Sequence, residues 1–224
     1  MKIVLVVAAH SDDEVLGCAG TIAKHVASGD KVHVLFMTDG ISSRHVANHK
    51  VVERERQNSA QKAAEILGTT SIQILNFPDN KMDSVPLLDI TQVIEEIILK
   101  IQPEIIYTHH VGDLNVDHQI TSKAVMTACR PQPNFCVKEI YSFEILSSTE
   151  WQISGYLPFT PNVFIDISDY IDVKKMALKA YEDEMHNPPH SRSIENSLRL
   201  SSIRGNEVGI DFAEAFTLIR RIEK

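Results

Sequence analysis

The sequence predicts an α/β fold, a Rossmann-like three-layer sandwich around a mostly parallel sheet. Three observations predict it. Short apolar runs alternate with longer amphipathic stretches through the first 130 residues. The runs are rich in Val and Ile and too short for helices, so they read as strands buried on both faces. Gly29, Gly68 and Pro103 stand where each helix must stop before the next strand begins.

The elements follow in order. Strands are expected at residues 2–9, 31–38, 71–77 and 104–108, and helices at 15–27, 51–67, 87–101 and 118–128. Strand–helix–strand repeats with right-handed crossovers make a parallel sheet covered on both faces. The first turn lacks G-x-G-x-x-G, so no dinucleotide fingerprint is present. After Arg130-Pro131-Gln132-Pro133 the pattern changes. Strands are expected at 138–146 and 162–167 and a helix at 170–184, which Asn187-Pro188-Pro189 would end. Residues 212–219 are read as a final strand. The expectation is one domain over 1–224, with a parallel core (1–130) completed by C-terminal strands and a helix (131–224).

Composition narrows the function classes. The chain has 224 residues, 43% hydrophobic and 23% charged, as in ordinary globular proteins. A formal charge of −8 without a long basic run argues against nucleic-acid binding. No segment reaches the roughly 20 apolar residues of a membrane span. Cys18, Cys129 and Cys136 have no metal-type spacing and suggest reduced thiols and a cytoplasmic location. Cys18 is expected to be a small buried hydrophobe. The sequence does not set an oligomeric state, and a homo-oligomer is compatible with it.

Two polar clusters carry the chemistry. Ala9-His10-Ser11-Asp12-Asp13-Glu14 follows the first strand, and Thr108-His109-His110-Val111-Gly112-Asp113-Leu114-Asn115-Val116-Asp117-His118 follows the fourth. In a parallel sheet both lie at the carboxyl edge, where ligands bind. Ionisable groups so close repel unless a cation or solvent relieves them. Imidazoles with carboxylates suit zinc with an open position for water. That is the donor set of metal-assisted hydrolysis, with a spare carboxylate to take a proton.

These motifs resemble those of the PIG-L or LmbE-like zinc-dependent N-deacetylases. The likeness rests on A-H-x-D-D-E after the first strand and Asp117-His118 closing the second cluster. It extends to Thr38-Asp39-Gly40, an Arg-bearing helix ending in Leu67-Gly68, and Phe77-Pro78-Asp79. The resemblance implies His10, Asp13 and His118 as ligands of Zn2+ or another divalent transition metal. It implies Asp12 as general base and Asp117 as a group orienting a neighbour. The implied reaction removes an N-acetyl group from an amino sugar of N-acetylglucosamine type or its conjugate, a small-molecule partner. Glu14 is either favourable charge at a helix N-terminus or a catalytic group.

Two departures matter. The family usually has Pro where Ser11 stands. It often has His where Asn115 stands, and Asn cannot titrate. His109 or His110 is expected to supply that imidazole, with Asp113 as its partner. Arg56 is the candidate substrate anchor, with Arg44 as competitor and a solvated Arg as the plain alternative. Asp39, Asp79, Asp113 and Asn115 are candidate substrate contacts. The loop around His190-Ser191-Arg192 either closes over the pocket or is a surface turn. Trp151, Tyr156 and Phe159 are expected in the core rather than in a sugar-stacking lid. Two other functions compete: a phosphohydrolase using Mg on the Asp-rich turn, and a sugar or nucleotide-sugar binding protein without turnover, which Asn115 favours.

Overall fold

A computed structural model describes residues 1–40 and 49–223. Seven strands form one sheet in the order β3-β2-β1-β4-β5-β7-β6. The first four, β1 (Ile3–Ala8), β2 (Lys31–Thr38), β3 (Ser71–Phe77) and β4 (Ile105–His109), fall where the apolar runs predicted them. β5 (Glu139–Phe143) joins them in parallel, while β7 (Ala213–Arg221) runs antiparallel to both β5 and β6 (Val163–Asp166). The chain thus forms the expected α/β layering around a mostly parallel sheet.

Side-chain alternation along β1 divides the core. Val4, Val6 and Ala8 face one cluster, built with α1 (Asp13–Ala27), α2 (His49–Leu67) and α5 (Ile171–Ala180). Leu5 and Val7 face the other, built with Ile90, Ile94, Ile97 and Ile98 of α3 (Leu87–Ile101) and Ala124, Val125 and Ala128 of α4 (Val116–Ala128). The first two helices cover one face and the next two the other. Strand order therefore reverses between β1 and β4, and a crevice opens beyond their carboxyl ends.

The C-terminal part differs from expectation. The predicted helix at 170–184 is shorter, with α5 flanked by single 3-10 turns at Ser168–Tyr170 and Glu182–Glu184. A helix the sequence did not signal, α6 (Ile194–Asn206), follows it. Its buried positions are Ser197, Ser201 and Gly205, so a stripe of small residues replaces the apolar periodicity that marks a helix. The Ser193 side chain accepts from the Asn196 N–H (3.1 Å) and starts the helix.

Gly205 shows how tight that contact is. A Cβ there would lie 2.5 Å from the Ile210 carbonyl oxygen and 2.8 Å from that of Asp211. Backbone atoms cannot turn aside as a side chain can. Gly205→Ala should therefore destabilise the protein by about 1–3 kcal/mol. A lowered urea midpoint with unchanged slope would report it; an unchanged midpoint would show that the contact is not rigid.

Candidate metal centre and active site

β1 ends at Ala8, and residues 9–12 turn sharply into α1. Asp12 takes φ 123°, a left-handed backbone rarely adopted by residues other than Gly. The carbonyl of Asp12 accepts from the N–H groups of Val15 and Leu16, and its own N–H donates to Glu14 Oε2 (3.0 Å). Glu14 also accepts from the Tyr181 hydroxyl (2.7 Å). Burial pushes the Glu14 carboxyl up to about 8 against these hydrogen bonds. Glu14 thus braces the turn from inside and does not border the cavity.

The turn delivers His10 and Asp13 to His118, in the first turns of α4. His10 Nδ1 lies 3.3 Å from Asp13 Oδ2 and 3.3 Å from His118 Nε2, and His118 Nε2 lies 3.4 Å from Asp13 Oδ2. Donors at about 2.0–2.1 Å from a tetrahedral zinc would lie about 3.3–3.4 Å apart. The chemistry and spacing of this triangle therefore fit zinc. His10, Asp79 and Asp117 make a second close group on the other side of the His10 ring.

Carboxylates stand behind both imidazoles. Asp113 Oδ1 is 3.1 Å from His118 Nδ1, while Asp117 Oδ2 and Asp79 Oδ1 are 3.1 and 3.2 Å from His10 Nε2. Such partners orient a ligating imidazole. Burial disfavours the charged imidazoles, but the carboxylates outweigh it. His10 is held well above its ordinary value, and Asp13 and Asp113 push His118 up to about 9. Burial would raise Asp13, yet His118, His109 and His10 hold it well below the usual carboxylate range.

Several sequence expectations need correction here. His109 is fully buried behind the site, stacked on His118 with ring centroids 4.0 Å apart. Its Nε2 accepts from the Ala9 N–H (2.8 Å), and burial, then His118, lowers it to about 4. His110 turns the other way, with Nε2 at 2.7 Å from the Leu157 carbonyl oxygen and its ring against Phe159. Neither borders the cavity at the donor triangle. Asp113 faces His118 instead of either of them, and it is no substrate contact. Its oxygens are buried and accept from Ser148, Thr149 and the Asn115 N–H. Burial opposes ionisation of Asp113, but His118 and these hydroxyls bring it down to about 2.

Asp117 is fully buried. It accepts from the N–H groups of Asn80 (2.6 Å) and Met82 (3.0 Å), which fixes it behind His10. Asp79, expected to meet substrate hydroxyls, borders the cavity and also faces His10. Asp39 is half-buried next to Gly40, and Gly40 is the one that borders the cavity. Arg44 lies outside the described residues. Trp151 and Tyr156 are 52% and 51% exposed and Phe159 is half-buried, so these aromatics are not core. Cys18 is buried, and burial, then Glu214 and Glu14, raises its thiol well above the ordinary value, as suits an inert hydrophobe.

The cavity, of about 90 Å³, is bordered by the triangle together with Asp12, Asp79, Asn80, Arg56, Asn115 and Arg192. Arg56 Nη2 donates to the Ser11 carbonyl (2.8 Å), and Nη1 pairs with Glu184. Its guanidinium also lies against Gly40, where φ is +68° and a Cβ would come within 2.7 Å of Nε. Arg192 was not among the expected site residues; only its loop was. Its Nη1 lies 3.2 Å from Asp12 Oδ2, and Nε donates to Ser147 Oγ (2.9 Å). Burial, opposed by Arg192, raises the Asp12 carboxyl.

Together these features define a doubly wound α/β protein whose sheet edge carries a donor set able to bind a metal. The family profile described as PIG-L, GlcNAc-PI de-N-acetylase, matches residues 5–129. The uncharacterized deacetylase YaiS of Escherichia coli is 31% identical over 81% of this chain and 91% of its own. The diacetylchitobiose deacetylase of Thermococcus kodakarensis is 29% identical over 82% of this chain and 70% of its own. Among solved structures, the conserved protein TT1542 of Thermus thermophilus superposes with TM-score 0.79 at 25% identity, over 100% of this chain and 97% of the other. GalB, the 4-carboxy-2-hydroxymuconate hydratase of Pseudomonas putida, does so with TM-score 0.75 at 25% identity, over 100% and 99%. The chain belongs to the PIG-L family. Among the described residues no helix is long and apolar enough to cross a membrane.

Zinc held at this triangle would compete with protons for the same imidazole lone pairs. With His118 raised to about 9, a cation must displace a proton at every pH below that value. Zinc affinity should therefore weaken as pH falls, roughly tenfold per unit for each proton displaced. Chelator competition between about pH 6 and about pH 9 measures this. A pH-independent affinity would remove His118 from the ligand set.

Proposed function

We propose that this chain is a zinc-dependent deacetylase that removes the N-acetyl group of an amino sugar or its conjugate. The observation that carries the proposal is the His10–Asp13–His118 triangle with Asp12 beside it in the same polar cavity. Membership of a family described by a de-N-acetylase supports it. Zinc held by the three residues would supply a Lewis acid for the amide carbonyl and lower the pKa of water.

The rest falls to the chain's own side chains. Asp12, outside the triangle and held by Arg192, takes the proton from the attacking water. A raised pKa suits a carboxyl that must accept a proton and then give it up. With His109 and His110 turned away, Asp12 also returns that proton to the departing amine. Asp113 and Asp117 hold the ligand imidazoles from behind. Arg56, Asn115 and Arg192 give the cavity wall both donors and acceptors, complementary to a ring bearing hydroxyl groups. The two imidazoles among the donors weigh against a Mg-dependent phosphohydrolase.

Hydration of an unsaturated acid is the competing reading. Arg56 and Arg192 at the cavity wall suit a carboxylate-bearing substrate, and a hydratase stands among the structural neighbours. Acetate release, measured across N-acetylated sugars, sugar nucleotides and sugar conjugates, tests the first reading. Turnover of unsaturated carboxylic acids without acetate release would favour the second. Asp12→Ala should keep its zinc and lose roughly 10²–10⁴-fold in kcat, while His118→Ala should lose the metal. Undiminished turnover by zinc-loaded Asp12→Ala would overturn the assignment of the base.

A further inference from the structure

Helix α1 is broken one turn beyond the metal site. Cys18 has φ −151° and ψ 25°, which no helix tolerates, between Gly17 and Gly20. Such a break strands backbone groups that a continuous helix would pair. Two distant side chains take them up. Glu214 of β7 accepts from the Gly20 N–H at Oε1 (3.0 Å) and from the Thr21 N–H at Oε2 (2.7 Å). Lys174 of α5 donates to the Leu16 carbonyl (3.1 Å) and to Glu214 Oε1 (2.7 Å). The carboxylate therefore caps the start of the second segment, and the ammonium caps the end of the first.

The pair is 2% and 4% exposed. Burying two charges costs several kcal/mol per ion, so a pair at this depth is a poor source of stability. Its position suggests another use. The first segment, from Asp13 to Gly17, is barely longer than one turn and has no helical stability of its own. Its place is set by what grips its ends. Glu14, through Tyr181 and the Asp12 N–H, grips the front. Lys174 grips the back at Leu16, while Gly17 lies flat on Phe143, where a Cβ would come within 2.6 Å of the ring. Asp13 rides on this segment, and its Oδ2 must meet His10 and His118 at 3.3 and 3.4 Å.

We propose that Lys174 and Glu214 are positioning residues for the metal site: their ion pair clamps the break in α1 and so fixes Asp13 within the donor triangle. The proposal rests on the reading of that triangle as a zinc site. Neither residue touches the cavity, so any effect on metal passes through the short segment.

Three variants test it, each examined by circular dichroism and thermal unfolding and by zinc affinity from chelator competition. Lys174→Met and Glu214→Gln each strand the other charge and should lower Tm and weaken zinc binding. The double variant Lys174→Met/Glu214→Gln strands no charge, and Gln keeps one acceptor oxygen for the Gly20 or the Thr21 N–H. Its Tm should recover while its zinc affinity stays roughly tenfold or more below the parent's, the range found when groups supporting metal ligands are removed. Recovery of both would overturn the clamp and leave an ordinary buried ion pair. If Lys174→Met fails to fold, the double variant decides alone; a folded double variant binding zinc like the parent rejects the proposal. A parent protein that binds no zinc overturns the metal reading and the clamp together. A parent that binds zinc, beside variants that bind it equally well, overturns only the clamp.

Discussion

Six carboxyl groups packed side by side at one edge of the sheet constrain everything around them. Asp12, Asp13, Glu14, Asp79, Asp113 and Asp117 are each 2% exposed or less. Buried anions this close are tolerated only if each meets a positive charge, a proton or several hydrogen-bond donors. The surroundings follow from that demand. Arg192 meets Asp12, and three imidazoles meet Asp13. Hydroxyl and backbone donors meet Asp113, and two backbone N–H groups meet Asp117. A divalent cation at the triangle would take the place of protons on His10 and His118 and still face the Asp13 carboxylate.

The same demand explains which parts of the site were legible in sequence. The motif turn after β1 and the Asp-His pair opening α4 were readable, because topology places both at one carboxyl edge. The elements through α4 were readable because the strands are short apolar runs and the helices between them amphipathic stretches. Orientation at a strand end was not. His109 and His110 are neighbours, and neighbours on a strand point to opposite sides. One therefore stacks behind His118 and the other reaches Leu157, and neither turns toward the cavity. Long-range pairing was illegible too. Arg192 meets Asp12 across 180 residues and Glu214 meets the α1 backbone across 194, with no local pattern announcing either. Helix α6 escaped notice because what it buries is small and polar.

The backbone at Asp12 shows how the turn is maintained. A non-glycine residue at φ 123° is strained, and such strain persists only where the surroundings fix it. Here the carboxylate is held by Arg192, the N–H by Glu14, and the preceding carbonyl by Arg56. The helix break at Cys18 lies at the other end of the same short segment. Asp13 thus sits between two irregular backbone positions, each secured by charged groups from distant parts of the chain. A regular helix leaving β1 would need neither device, but it would also have no independent means of setting Asp13 against His10 and His118.

Asn115 is best understood through the helix it starts. Its Oδ1 accepts from the N–H groups of Asp117 (2.8 Å) and His118 (3.4 Å), and its Nδ2 donates to Asn80 Oδ1 (3.1 Å). Asn is among the best N-cap residues because a short side chain places an oxygen over the first free N–H groups. A His at this position is longer and lacks that oxygen. The cap fixes the first turn of α4, and with it the two residues that deliver an imidazole to the triangle and a carboxylate to His10. Asn115 therefore secures the placement of Asp117 and His118, where a titratable side chain would have offered a proton instead. Neither His109 nor His110 borders the cavity, so on the hydrolytic reading Asp12, outside the donor triangle and held by Arg192, would carry the proton both ways.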